Sequence, residues 1–216
     1  MSRVSELVRL VKGFLEEWEN GGAAVAVEQA RACPCGCPFR HRHGSYTRFV
    51  LVVSQEYRIT IPRLLCPVCV KTVAVLPGFL APRSPHPWCV REAAVAAQLA
   101  GPEGYRRIAA GLALAWQLVW AWVEALARRA RELLVQLLAL VLRYPGPEGI
   151  GASLPGGWEV DALRARARSP AKRESLACLA GVFTQTHLLW RASGLRREPG
   201  PGELLGFVHT LREALD

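Results

Sequence analysis

Apolar positions fall into three kinds of pattern along this chain. From Ser2 to Asn20, Val4, Leu7, Val11, Leu15 and Trp18 recur at helical spacing, and Gly21-Gly22 ends the run. That spacing predicts an amphipathic helix with a packing role. The small-residue stretch Ala23 to Ala30 reads as a short strand or a loop. Two strand-like runs follow, Tyr46 to Val53 and Tyr57 to Ile61, with Ser54-Gln55 supplying the turn between them, and Glu56 to Ile61 alternates with a period of two. Tyr57, Ile59 and Ile61 fall on one face, and Arg58 and Thr60 on the other. A third strand is expected over Thr72 to Leu76. Beyond it, Pro77, Pro82, Pro85 and Pro87 exclude a helix and predict an extended connector.

From Trp88 the period becomes helical. Val90 to Leu99 forms one helix, closed by Gly101-Pro102, and Tyr105 to Ala110 forms a short second one. Gly111-Leu112-Ala113 makes a tight turn into a long third helix, Ala115 to Leu142. A short helix, a glycine turn and a following helix with Val119 and Trp122 inward is the spacing of a helix-turn-helix, although any three-helix bundle shares it. The leucines from Leu133 to Leu138 suit a core or a self-association surface. Pro145 to Gly157 reads as a linker. An Arg-rich stretch (Arg164 to Arg173), an apolar helix near Leu176 to Trp190 and a C-terminal helix from Glu203 follow, and no role emerges for them. The expected divisions are 1–30, 31–77, 78–87, 88–143, 144–173 and 174–216, and the fold class is α+β, mostly α.

Cysteine spacing adds the chemistry. Cys33-Pro34-Cys35-Gly36-Cys37 opens the strand region and Cys66-Pro67-Val68-Cys69 closes it. Two cysteine turns facing each other across a hairpin are what a tetrahedral Zn²⁺ needs, with each thiolate about 2.3 Å from the metal. The region therefore reads as a zinc ribbon. Cys66 and Cys69 have the usual two-residue spacer. The first cluster permits three pairings, of which Cys33 with Cys35 is favoured and Cys37 is the substitute. His41 and His43 are reserve ligands close to the first turn. A disulfide framework fits less well, because no signal-peptide pattern opens the chain. A thioredoxin-like pair lacks its βαβ surroundings. Cys89 and Cys178 stand alone as small core residues.

The formal charge is +9, and its placement is uneven. Between Arg31 and Arg91 nine basic residues face Glu56 alone, which makes the ribbon the candidate for a polyanion. Arg40, Arg42, Arg48, Arg58, Arg63 and Lys71 lie there, and Arg106, Arg107, Gln117 and Arg128 lie on the helical pair as further candidates for DNA contacts. Lysine is scarce, so coding bias accounts for Arg over Lys but not for the clustering. No stretch reaches the roughly 18 apolar residues of a membrane span. Thiols intended for metal point to a reducing cytoplasm, with nucleoid association if DNA is bound.

The run CPCGCPFRHRHGSYTRF, then IPRLLCPVC, LPGFLAP and GYRRIAAGL with a Trp-rich helix, resembles a family of bacterial transposase-like proteins. These carry an N-terminal zinc ribbon joined to a helix-turn-helix. The resemblance covers Cys33 to Arg131 and implies binding of double-stranded DNA, with transposition where a catalytic domain follows. An RNase H-like transposase needs three carboxylates for two metal ions. Asp161 and Asp216 are the only aspartates, and Trp158 to Asp161, although similar to a first catalytic strand, has too little chain after it for that fold. The expectation is a non-enzymatic, zinc-dependent DNA-binding protein. The alternatives are a structural or interaction module stapled by zinc, and a truncated transposase subunit.

Overall fold

The computed structural model describes residues 3–101, 103–143 and 169–192. The chain divides into two units, Met1–Trp88 and Cys89–Asp216. Together they hold helices and one small antiparallel sheet, an α+β protein.

The first unit begins with helix α1 (Arg3–Glu17), whose Leu7, Val11 and Leu15 are buried along one stripe. The stripe ends at Trp18, whose indole N–H donates to the Thr60 carbonyl at 3.1 Å and ties the helix to the sheet. A kink at Asn20-Gly21 follows, with Gly21 at φ 124°. The chain then resumes as helix α2 (Ala23–Gln29), where a strand or loop was expected. Alanine loses no side-chain entropy in a helix, and three of these seven positions are alanine.

The sheet has the order β1-β2-β3, from β1 (His41–Val52), β2 (Gln55–Leu65) and β3 (Thr72–Ala74). Val50, Val52, Ile59 and Ile61 are fully buried in alternate positions, each worth about 1.5–3 kcal/mol of transfer free energy. Val52 pairs with Gln55, so the hairpin turn is Val53-Ser54, one residue earlier than the pattern suggested. Val53 has φ 57° and Ser54 has no positive φ, the sign pattern of a type II′ turn. Both strands also run further than their alternation showed. Between Arg42 and Ser45 the register shifts, with His43 and Gly44 facing Arg63 alone, and this β-bulge hides the period of two.

The proline-rich segment folds onto this unit. Leu80 and Pro87 form a bridge, the Trp88 N–H donates to the Phe79 carbonyl at 2.9 Å, and the Phe79 ring stacks on Phe14 at 5.4 Å. Ala81, Ser84, His86 and Pro87 are buried. Proline supplies no N–H, so such a segment cannot pair as a strand, and its buried carbonyls must find donors elsewhere. Arg48 provides them, donating from one guanidinium nitrogen to the carbonyls of Ala81 and Ser84, each at 2.6 Å. His86 Nδ1 donates to the Leu51 carbonyl at 3.2 Å, and the Leu51 N–H donates to Pro85 at 2.9 Å.

The helix α3 (Trp88–Ala100) enters the second unit after its first residue, and α4 (Tyr105–Gly111), α5 (Trp116–Arg143) and α6 (Pro170–Ala192) follow in it. On α5, Val119, Val123, Ala127, Ala130, Leu133 and Leu137 are buried at spacings of three and four, the period that predicted the helix. α4 and α5 meet at a bend of 116°, with Ala113 at φ 49° in the turn between them. On α6, Leu176, Leu179, Val182 and Phe183 are buried. Among the described residues no single helix is long and apolar enough to cross a membrane. The expectations for Pro145 to Gly157, Trp158 to Asp161, Arg164 to Arg168 and the helix from Glu203 lie outside the described residues.

Candidate metal centre

Two turns bring four sulfurs together. In the second, the Cys66 N–H donates to the Lys71 carbonyl and the Val70 N–H to the Cys66 carbonyl, each at 3.0 Å. In the first, the Cys33 N–H donates to the Cys37 carbonyl at 2.9 Å and the Gly36 N–H to the Cys33 carbonyl at 3.0 Å. The first turn closes one residue sooner, which accommodates the missing spacer. In both, the residue after the second cysteine enters the left-handed region, Gly36 at φ 88° and Val70 at φ 55°. Glycine adopts that conformation at no steric cost, and valine does not.

The Sγ atoms of Cys33, Cys35, Cys66 and Cys69 all lie within 4.8 Å of one another. The contacts between the two turns are shorter, 3.7 Å for Cys33 to Cys69 and 3.6 Å for Cys35 to Cys66. A tetrahedron with metal–sulfur bonds of about 2.3 Å has edges of about 3.8 Å, so the four thiols could hold a metal ion. The favoured ligand set is the one brought together. Cys37, the substitute, is turned away: its buried thiol donates to the Phe39 carbonyl at 3.1 Å. His41 and His43 are exposed and stand outside the cluster, with the His41 ring edge-on to Phe39 at 6.2 Å.

Backbone amides set the charge on these sulfurs. The amide of Cys69, followed by that of Val68, brings the Cys66 thiol down to about 6. The Cys35 amide lowers the Cys33 thiol. Although the Cys37 amide favours ionisation of Cys35, the surrounding sulfurs push that thiol up to about 12. Negative charge therefore settles on part of the cluster, and four thiolates this close require a cation between them. Burial raises the separate Cys89 thiol to about 12, consistent with a core residue.

The basic side chains divide into two groups. Arg40 donates to the Ala30 carbonyl at 2.9 Å and Arg48 to Ala81 and Ser84, so both guanidinium groups serve the fold. Arg42 and Lys71 are exposed and make no ion pair among the described residues. Arg63 donates to the Thr72 hydroxyl at 3.2 Å, and Arg58 lies 5.1 Å from the Phe49 ring centroid and 3.7 Å from Glu56. On the helical unit, Arg106 lies over the Trp116 ring at 5.7 Å, Arg107 pairs with Glu103 at 3.4 Å, and Arg128 Nε donates to the Glu124 carbonyl at 3.3 Å. Gln117 is exposed beside Trp116 and Trp120, which are 40% and 46% exposed.

Sequence reasoning passed over Phe49. It occupies the solvent phase of β1, opposite in parity to Val50 and Val52, yet it is a large apolar ring. An aromatic residue at a polar-phase position was the available signal.

A comparison with protein-family models, curated proteins and solved structures finds no match to this chain.

Proposed function

We propose that this is a non-enzymatic, zinc-dependent DNA-binding protein in which a zinc ribbon carries the basic surface and α4–α5 act as a helix-turn-helix, related to the N-terminal regions of transposase-like proteins. The observation that carries the reading is the meeting of a four-sulfur cluster and basic side chains on and beside one small sheet, of which Arg42 and Lys71 are exposed and make no ion pair among the described residues. Cysteine sulfurs at the edge length of a tetrahedron suit Zn²⁺, which has no d-electron preference to satisfy. The two cysteine turns carry little buried apolar surface of their own, with Pro34, Pro67 and Val68 exposed, so metal binding there becomes folding free energy. Arg42, Arg58, Arg63 and Lys71 would then be held by a rigid platform against phosphates. The 116° bend between α4 and α5 falls within the range of helix-turn-helix pairs and supports their part.

A second reading also has an observation in its favour. Trp116 and Trp120, four residues apart on one face of α5, are both exposed, which suits an interaction module stapled by zinc, including self-association through the long helix.

Electrophoretic mobility of a generic duplex at several salt concentrations separates the two. With four to six phosphate contacts, log affinity should fall with log salt at a slope of about −4 to −5. Changing Arg42, Arg58 and Lys71 together to Gln should flatten it by about two to three units. Absence of duplex binding at low salt removes the DNA reading and leaves the interaction module.

A further inference from the structure

We infer that the open edge of β1 pairs with the same edge of a second copy of this chain, antiparallel and centred on Thr47, whether or not the protein binds DNA. The order β1-β2-β3 leaves β1 at one side of the sheet. Val52 and Gln55 flank the two-residue turn, where the facing residues exchange both main-chain bonds. Antiparallel alternation then turns the N–H and C=O groups of Ser45, Thr47, Phe49 and Leu51 away from β2. Leu51 confirms the phase: its N–H donates to the Pro85 carbonyl, and its carbonyl accepts from His86 Nδ1. The outward groups of Ser45, Thr47 and Phe49 have no partner among the described residues, and all three residues are exposed. An edge in this state accepts another strand, and no proline lies between Ser45 and Phe49 to prevent it.

The open segment is complementary to itself. About a two-fold axis at Thr47, Thr47 faces Thr47 of the second copy and Ser45 faces Phe49, so three pairs of two bonds each satisfy every outward group on both copies. Both ends of the register are fixed. One step further, Leu51 would face His43 of the second copy, but Leu51 is already bonded to Pro85 and His86. His43 in turn lies in the bulge between Arg42 and Ser45, where the strand bends. Charge also admits an identical strand at this point. Arg48 is the one charged residue from Ser45 to Phe49, and its guanidinium is held by the Ala81 and Ser84 carbonyls. In the pairing it faces Tyr46, so no like charges stand directly opposite each other. An acidic peptide would find no uncommitted cation along these five residues. The segment is short against the roughly 800 Å² per partner of a standard interface, so the dimer forms only at high protein concentration.

Sedimentation equilibrium of the zinc-loaded full chain, from about 10 μM to about 1 mM, should show a monomer–dimer equilibrium. Thr47→Pro removes one outward N–H from each copy and leaves the β1–β2 ladder whole, because an edge strand tolerates proline where the missing N–H faces solvent. It should weaken the dimer by roughly 5- to 150-fold, the loss of two main-chain bonds. Thr47→Lys and Thr47→Glu each set like charges opposite one another and should weaken the dimer, whereas an equimolar mixture of the two should form a heterodimer. These exposed substitutions decide the matter if the proline variant loses zinc. Trp120→Ala, on α5, should leave the dimer unchanged. A chain that stays monomeric throughout overturns the inference, as does a dimer indifferent to all three Thr47 variants. A mixture that assembles no better than either charged variant alone overturns it too. Loss of the dimer only in Trp120→Ala would place self-association on α5 and likewise overturn it.

Discussion

One guanidinium nitrogen of Arg48 donates to the Ser84 carbonyl at 2.6 Å, across 36 residues of chain, and to Ala81 at the same distance. An arginine from the basic cluster is thereby committed to holding a proline-rich segment. Arg48→Met should leave two buried carbonyls without that donor and cost about 3 kcal/mol, measured by urea denaturation of the zinc-loaded protein. Arg42→Gln, on an exposed and unpaired side chain, should leave the midpoint in place. Equal stability of Arg48→Met and wild type would refute this structural role of Arg48.

Replacing any one of Cys33, Cys35, Cys66 or Cys69 with Ser should abolish stoichiometric zinc and unfold the sheet, read by metal content and circular dichroism. Cys37→Ser should retain the metal, because that thiol is turned to the Phe39 carbonyl. A silent change at Cys33 or Cys35 combined with zinc loss at Cys37 would refute the assigned ligand set.

Zinc affinity should rise with pH, since binding displaces whatever protons the sulfurs hold. The proton on Cys35, whose thiol is raised to about 12, must be displaced throughout the working range. Cys66, lowered to about 6 chiefly by the Cys69 amide, is already ionised above that pH. Below about 6 one further proton must leave, so log affinity against pH should steepen by one unit there. Competition with a chromophoric chelator between pH 5 and 8 checks the steepening, and a constant slope would contradict it.

Val70 is held at φ 55° and is 73% exposed, so its side chain adds strain and little packing. Val70→Gly should stabilise the zinc-loaded protein by about 1 kcal/mol, the relief of left-handed strain less the added entropy of glycine in the unfolded chain. Thermal unfolding measures this. A loss of stability would mean that the valine side chain packs against something after metal binding.

Much of this protein is determined by local pattern, and local pattern is what a sequence displays. The stripe from Leu7 to Trp18, the alternation of Ile59 and Ile61 against Arg58 and Thr60, and the period of three and four on α5 each report a buried face, because burial repeats with the backbone's own period. The four cysteines were legible for a similar reason: two short turns must each present two sulfurs, and spacing records that. Tertiary structure decided the rest. Which cysteine of the first turn stands aside depended on where Gly36 reverses the chain and on the Phe39 carbonyl that receives the Cys37 thiol. The ends of β1 and β2 depended on a bulge that interrupts the period. The roles of Arg40 and Arg48 depended on carbonyls 10 to 36 residues away. An arginine looks the same in a sequence whether it meets a phosphate or a buried carbonyl, since only the folded chain determines which acceptor lies within its reach.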